Sequence, residues 1–76
     1  MVIHDPLYIR TMARIYRNGN TAIRVKDIVA VDIPDDDPKA FVIYTHHQSS
    51  FKFNCQNEET ALQRWKEVYD EMVKEL

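Results

Sequence analysis

Histidine and cysteine are the side chains of this sequence with the most specific chemistry, because imidazole and thiolate are the ligands that zinc prefers. The chain contains His4, His46, His47 and Cys55. Adjacent side chains of an extended segment point to opposite faces, so His46 and His47 are poorly placed to bind one ion together. The sequence has no CxxC or HxxxH spacing. We therefore predict no metal site, and interpret the histidine pair as a polar hairpin tip beside a packed Cys55.

Three consecutive acids, Asp35 to Asp37, could offer carboxylates to calcium or magnesium. An EF-hand loop needs spaced acids, a central glycine and a closing glutamate, and these residues do not have that arrangement. Pro34 and Pro38 flank the acids, and proline interrupts both strands and helices. The segment is therefore predicted to be a solvated turn.

Nucleophilic catalysis requires a nucleophile, a base and an orienting group in register. Ser49 and Ser50 follow the two histidines closely, but the surrounding residues do not resemble a nucleophile elbow. The single glycine, Gly19, excludes the glycine-rich loops that cradle phosphates. A chain of 76 residues also leaves little room for a pocket of about 300 Å³. We predict that the protein is not an enzyme and uses no cofactor.

Basic and aromatic side chains concentrate near the N-terminus, where residues 1–30 carry five basic and two acidic side chains. If this region forms a hairpin, Arg14 lies opposite Arg24, and like charges paired across strands are destabilising unless an acid or a partner neutralises them. Arginines beside a tyrosine suit an acidic protein surface or stacked bases. The predicted binding residues are Arg10, Arg14, Tyr16, Arg24 and Lys26.

We favour an acidic protein as the partner of this surface, which is also compatible with a merely solvated face that has no partner. Nucleic acid is the first alternative, although the sequence pI near 5.8 and an acidic C-terminal half disfavour it. A structural homo-oligomer is the second, because a chain this short buries a small core and gains stability from self-association. With one cysteine, an internal disulfide cannot supply that stability.

The clearest element is a C-terminal amphipathic helix over residues 57–75. Asn57 is a suitable N-cap, and Glu58 and Glu59 place negative charge at the positive end of the helix dipole. Apolar residues then recur at helical spacing, at Ala61, Leu62, Trp65, Val68, Tyr69, Met72, Val73 and Leu76. This stripe predicts that the helix lies across a sheet, with Trp65, Tyr69 and Met72 mainly in the core. An interaction surface formed by these three side chains is the alternative.

Residues 7–54 predominantly indicate strands. Residues 28–33, 41–45 and 51–54 are rich in β-branched and aromatic side chains, and residues 46–50 form a polar connection between the last two. Residues 7–17 are compatible with a short helix, but Gly19 favours a hairpin with the residues after it. A three-residue loop would pair Ile15 with Ile23 and Ala13 with Val25, and would turn Tyr16 away from the core.

The predicted fold is α+β, with about five antiparallel strands packed against one C-terminal helix. Its sequence landmarks are Asn18-Gly19, the run from Ile23 to Val31, Phe41 to Thr45, Phe51-Lys52-Phe53 and a glutamate-rich helix start. In these features residues 18–73 resemble small bacterial and phage proteins with a curled sheet closed by a helix, as in pleckstrin-homology-like domains and flagellar FlbD-type proteins. The resemblance implies a fold and does not assign functional residues.

We expect a single domain over residues 1–76, with a flexible N-terminus at residues 1–6 and the sheet at residues 7–54. No apolar run reaches the roughly 20 residues that cross a bilayer. Residues 1–6 lack the basic flank and apolar stretch of a signal peptide. These features predict a cytoplasmic protein that does not insert into membranes.

Overall fold

The computed structural model of the chain describes residues 14–76. Its strands are β1 (Ile15–Asn18), β2 (Thr21–Arg24), β3 (Ile28–Asp32), β4 (Ala40–Thr45) and β5 (Ser50–Asn54), and its helix is α1 (Glu58–Lys74). A short 3-10 helix, Val25–Asp27, joins β2 to β3. The α+β class and the C-terminal helix are as predicted. The strands, however, form two antiparallel sheets, β1-β2 and β3-β4-β5, and not one sheet of about five strands.

The first hairpin has a different register from the predicted one. Tyr16 pairs with Ile23, and Gly19 and Asn20 form a two-residue loop. Gly19 has φ +60°, which suits the first central position of a type II′ turn, the type whose twist matches the flanking strands. The change of one residue exchanges the faces of β1: Tyr16 is 7% exposed and Ile15 is 48% exposed. The predicted pairing of Ile15 with Ile23 is therefore wrong, and Ala13 lies outside the described residues.

The three-stranded sheet contributes Ile28, Phe41 and Ile43 to the core. β4 is its central strand, and Phe41 and Ile43 are fully buried there. In β3 a bulge occurs between Ile28 and Ala30, which leaves Val29 as an extra, exposed residue. A bulge adds a residue without a partner on the neighbouring strand and bends its own strand. The side chain of Val29 is therefore turned to the side of the sheet face, and it does not follow the regular alternation of side chains between the two faces of the sheet.

The β4-β5 connection is the polar tip predicted from the sequence. The amide of Thr45 donates to the carbonyl of Ser49, and the amide of Gln48 donates to the carbonyl of Thr45. Gln48 has φ 63°, a left-handed conformation that glycine or asparagine would adopt at lower cost. The tip is also joined to the 3-10 helix, since the amide of His46 donates to the carbonyl of Asp27.

Helix α1 begins as predicted. The Asn57 side chain accepts a 2.8 Å hydrogen bond from the Thr60 amide and so caps the first turn. The helix lies against β3, β4 and the 3-10 helix, and buries Ala61 and Val68 completely. Within residues 14–76, no helix is both long and apolar enough to span a membrane.

Aromatic contacts connect the two sheets. The rings of Tyr16 and Phe41 meet edge to face with centroids 6.5 Å apart, and Phe41 stacks on Phe53 at 5.0 Å. Offset-stacked and edge-to-face pairs of this kind each contribute about 0.5–1.5 kcal/mol beyond their burial. Because Tyr16 belongs to β1 and Phe41 to β4, the register of the first hairpin positions a ring that joins both sheets.

Candidate functional site

Helix α1 carries an apolar ridge that the sheets do not cover. Its members are exposed although they continue the helix's apolar stripe: Leu62, Tyr69, Val73 and Leu76. Since successive helical residues are rotated by about 100°, the side chains of Leu62, Tyr69 and Val73 fall within about 40° of one another, and Leu76 follows the end of the helix. The core-facing side chains of Ala61, Trp65, Val68 and Met72 lie on the adjacent part of the helix. The apolar stripe is therefore wider than the surface that the sheets bury.

The C-terminal half of this ridge forms one wall of a groove of about 590 Å³. The bulged Val29 forms part of the opposite wall, and its side chain is exposed like those of Tyr69 and Val73. The floor contains the buried side chains of Val25 and Ile28. The groove thus has an apolar floor and two apolar walls.

The groove is bordered by one basic and one acidic side chain, Lys26 and Glu75. Within residues 14–76, no carboxylate lies within 4.0 Å of the Lys26 ammonium group. The Glu75 carboxylate lies 3.7 Å from Nε of Arg14. Among the described residues, the acidic border therefore has a cation beside it, whereas the basic border has no carboxylate beside it.

The four predicted binding residues that the structure describes, Arg14, Tyr16, Arg24 and Lys26, do not form one face. Arg10 lies outside the described residues. Arg14 contacts the end of helix α1, where its guanidinium lies 3.1 Å from Glu71 and 3.7 Å from Glu75. Arg24 pairs with Asp27 at 3.8 Å, and it lies opposite Ile15 in the hairpin. Arg14 is thus not opposite Arg24, and nearby acids neutralise both arginines.

Among the predicted binding residues, Tyr16 departs most clearly from the prediction that its side chain faces solvent. Its ring is buried, and its hydroxyl accepts a 3.3 Å hydrogen bond from the Asn18 side-chain amide. Burial raises the pKa of Tyr16 above its ordinary value of 10.0, because desolvation disfavours the phenolate. Tyr16 therefore acts as a core residue. Of the four predicted residues within 14–76, Lys26 alone borders the groove.

The other candidates from the sequence remain dispersed. Among residues 14–76, no three His, Cys, Asp or Glu side chains are grouped closely enough to hold a metal ion. Cys55 is half-buried against the core, and its amide donates to the carbonyl of Lys39. His46 and His47 are exposed at the hairpin tip.

One acid of the proline-flanked segment has a structural partner. The Asp37 carboxylate lies 2.9 Å from the Lys52 ammonium group. The hydrogen bond from Lys52 lowers the pKa of Asp37, and the same contact raises the pKa of Lys52. This pair connects the segment to the exposed face of β5, and Asp35 and Asp36 remain exposed.

No protein-family model, curated protein sequence or solved structure matches this chain. The resemblance to pleckstrin-homology-like and FlbD-type proteins therefore stays a prediction. The prediction that Trp65, Tyr69 and Met72 lie mainly in the core is wrong for Tyr69, whose side chain is 50% exposed. The apolar stripe has eight residues within a helix of 17 residues and its C-terminal flank. Around the helix axis these residues span a wider arc than one sheet face covers.

Proposed function

We propose that the protein is a small non-catalytic protein-binding module, and that its partner presents an amphipathic segment to the groove beside helix α1. Apolar side chains of that segment would pack between Val29 and the ridge, and an acidic side chain would face Lys26. The exposed ridge along an apolar groove is the observation that carries this proposal. The proposal keeps the acidic protein partner predicted from the sequence, and it places the binding surface at the groove and not on the first hairpin.

Burial of the exposed side chains provides the driving force. Tyr69, Val73 and Val29 are each about half exposed, so completing the burial of each contributes roughly 1 kcal/mol. Association also costs translational, rotational and side-chain freedom. A partner must therefore cover the ridge and the bulge together, and this favours a segment that fills the whole groove over a single inserted side chain.

The charge pattern supports an acidic segment more than a nucleic acid. Nucleic-acid binding gains its affinity from several lysines and arginines that contact phosphates. Arg14 and Arg24 instead lie beside carboxylates of the same chain. Lys26, the one basic side chain that residues 14–76 place at the groove, suits one carboxylate at the edge of an apolar contact.

A second copy of the chain is the competing occupant, since an exposed apolar ridge also suits a dimer. Sedimentation equilibrium of the purified chain distinguishes the two cases. A monomer that forms a 1:1 complex with a different protein supports the proposal. A concentration-dependent dimer that Val73→Asp dissociates would instead assign the groove to self-association.

The proposal is tested with two matched substitutions, Val73→Asp in the groove and Ile15→Asp on the outer face of β1. Both parent side chains are apolar and similarly exposed, at 46% and 48%. Proteins retained by each variant from a lysate of the native host are identified by mass spectrometry, and direct binding is measured with the purified candidate. We expect Val73→Asp to weaken binding at least ~10-fold, because a charge is placed in an apolar contact.

Ile15→Asp should leave this affinity unchanged within about twofold, as expected for a surface site outside the contact. Lys26→Ala should weaken binding more at low salt than at high salt, because salt screens an exposed ion pair. Equal binding by wild type and Val73→Asp contradicts the groove. A loss on combined Arg14→Ala and Arg24→Ala substitution, with none on Val73→Asp, would restore the basic hairpin face as the site.

A further inference from the structure

The described part of the chain begins at the edge of the groove beside helix α1. The carbonyl of Arg14 accepts a 2.9 Å hydrogen bond from the amide of Val25, whose side chain forms part of the groove floor. The Arg14 guanidinium lies 3.1 Å from Glu71 and 3.7 Å from Glu75, and Glu75 borders the groove. The N-terminal segment, residues 1–13, is joined directly to Arg14 and therefore starts beside the groove.

The N-terminal segment is long enough to cover the groove. Its thirteen residues span at most about 43–47 Å when fully extended and about 20 Å as a helix. The wall that α1 provides runs from Tyr69 to Leu76, which is about 10 Å at the rise of a helix. The segment can therefore reach along the whole wall in either conformation.

The segment also has the composition that the groove requires. Eight of its thirteen residues are apolar, and its only acidic side chain is Asp5, two residues before the apolar run Leu7-Tyr8-Ile9. The groove presents the exposed apolar side chains of Val29 and Val73, and Lys26 borders it. The segment and the groove are therefore complementary in both polarity and charge.

We propose that the N-terminal segment occupies this groove when no partner is bound, so that the protein covers its own binding surface. Leu7 and Ile9 would pack between Val29 and the ridge. The Asp5 carboxylate would face the Lys26 ammonium group. A partner must then displace the segment. Occupation of the groove is inferred from these residues alone, whereas its effect on a partner rests on the proposed function.

Attachment to the same chain favours this occupant over a second copy. A short flexible tether gives an effective concentration in the millimolar range, so a weak intrinsic affinity is enough to fill the groove. Since a partner competes with the segment, its apparent affinity falls in proportion to the fraction of molecules whose groove is open. A groove covered in about nine molecules of ten lowers the apparent affinity about 10-fold.

The first experiment measures NOEs between methyl groups in the labelled full-length chain without a partner. Methyl groups of Leu7 or Ile9 should show NOEs to those of Val29. The positive control is the pair Val31 and Ile43, which lie opposite each other in β3 and β4. A spectrum with the control NOEs and none from the segment to the groove would overturn the proposal.

A mixture of two differently labelled preparations identifies the chain that supplies the segment. NOEs within one molecule support occupation by the molecule's own N-terminal segment. NOEs that occur only between molecules would mean that a second copy supplies the segment, and would overturn the intramolecular arrangement.

Substitutions in the segment then open the groove. Leu7→Asp should release the segment, because it places a charge in an apolar contact. Thr11→Asp is the matched control, since it adds the same charge to the same segment at a polar position. The NMR signals of Val29 and Val73 should shift in Leu7→Asp and change little in Thr11→Asp. Equal shifts in both variants contradict a contact through Leu7. If Leu7→Asp does not fold, Leu7→Ala and Thr11→Ala give the same comparison.

A charge exchange tests the ion pair separately. Asp5→Lys should weaken the NOEs between Leu7 and Val29, because it places two like charges together. Adding Lys26→Asp should restore them. A double variant whose NOEs are as weak as those of the single variant would exclude the pairing of these two residues.

The probe for the open groove is a synthetic peptide with the sequence of residues 1–13, titrated into the full-length chain and followed by NMR. It should bind Leu7→Asp about 10-fold more tightly than wild type, whose groove is already covered. Adding Val73→Asp to Leu7→Asp should abolish this binding. Equal affinity for wild type and Leu7→Asp, or no binding to either, would overturn the proposal.

Failure of the proposed function gives a different result. In that case Val73→Asp leaves the binding of other proteins unchanged, while the peptide still binds Leu7→Asp at the groove. If instead Val73→Asp weakens a partner but the peptide does not bind, the groove is a partner site that the N-terminal segment does not cover.

Discussion

The indole Nε1 of Trp65 donates a 3.1 Å hydrogen bond to the main-chain carbonyl oxygen of Val31. Val31 belongs to β3, an outer strand of the three-stranded sheet, and its main chain points away from β4 by the alternation of the ladder. The side chain of the helix therefore covers a carbonyl that the sheet leaves without a partner. This bond fixes where α1 crosses the sheet, and thus where the ridge is displayed.

Trp65→Phe should destabilise the protein by about 1–3 kcal/mol, because the Val31 carbonyl loses its donor and the smaller ring leaves a void. Urea unfolding followed by circular dichroism measures the change. Tyr69→Phe is the matched control, since it keeps the ring that stacks on Trp65 at 5.5 Å and changes only an exposed hydroxyl. It should alter stability by less than about 0.5 kcal/mol. A Trp65→Phe variant as stable as Tyr69→Phe would show that the bond does not hold the helix.

Gln48→Gly should stabilise the protein by roughly 0.5–1 kcal/mol. Gln48 occupies a left-handed conformation with φ 63°, which glycine adopts without a steric cost from Cβ. The gain is reduced by the greater freedom of glycine in the unfolded chain. His47→Gly, at the neighbouring position with ordinary φ, adds the same freedom without that relief and should lower stability. Thermal and urea unfolding of both variants give the comparison, and a stabilised His47→Gly would contradict the explanation.

The sequence predicted the elements better than their relationships. The periodicity from Ala61 to Leu76 and the cap at Asn57 depend on local chemistry, and both were predicted correctly. The register of the first hairpin was not, because Ile15 and Tyr16 are both apolar and a shift of one residue exchanges their faces. The preference for a two-residue turn at Gly19 decided which of the two registers forms.

The groove could not be located from the sequence for a different reason. It depends on how far α1 is rotated over the sheet and on the bulge at Val29, and both are set by tertiary packing. The width of the apolar stripe indicated that some of it would remain uncovered. It did not indicate that Val29 would stand opposite, because a bulge has no distinct signature within the aliphatic run of residues 28–33.

The Asp37–Lys52 pair predicts a defined pH dependence of stability. The pKa of Asp37 is lowered from 3.8, so its contribution is present above that value and is lost as pH falls through the lower folded pKa. The pKa of Lys52 is raised from 10.5, so its contribution is present below that value and is lost as pH rises through the higher folded pKa. The difference in unfolding free energy between wild type and Lys52→Ala should be constant in the intervening range and shrink beyond both limits.

Lys66→Ala is the control for this comparison, because Lys66 is also an exposed lysine but has no carboxylate within 4.0 Å among residues 14–76. The difference in unfolding free energy between wild type and Lys66→Ala should not change at the two pH limits set by Asp37 and Lys52. Urea titrations between acid and alkaline pH at low salt measure both variants. A Lys52→Ala difference that persists unchanged in acid would mean that the contact does not act through Asp37.

Alanine substitution on β1 distinguishes the two possible registers of the first hairpin. With Tyr16 in the core beside Phe41, Tyr16→Ala should cost about 3 kcal/mol or more, as expected for deleting a buried aromatic ring. Ile15→Ala should cost less than about 1 kcal/mol, because Ile15 is half exposed and deletes little buried area. A three-residue loop would reverse this order. If Tyr16→Ala does not fold, the comparison uses Tyr16→Leu and Ile15→Leu. These variants retain enough apolar volume to fold, and urea unfolding measures their stability. Since both parent residues are apolar neighbours on one strand, a larger loss at Ile15 than at Tyr16 would show that the hairpin has the other register.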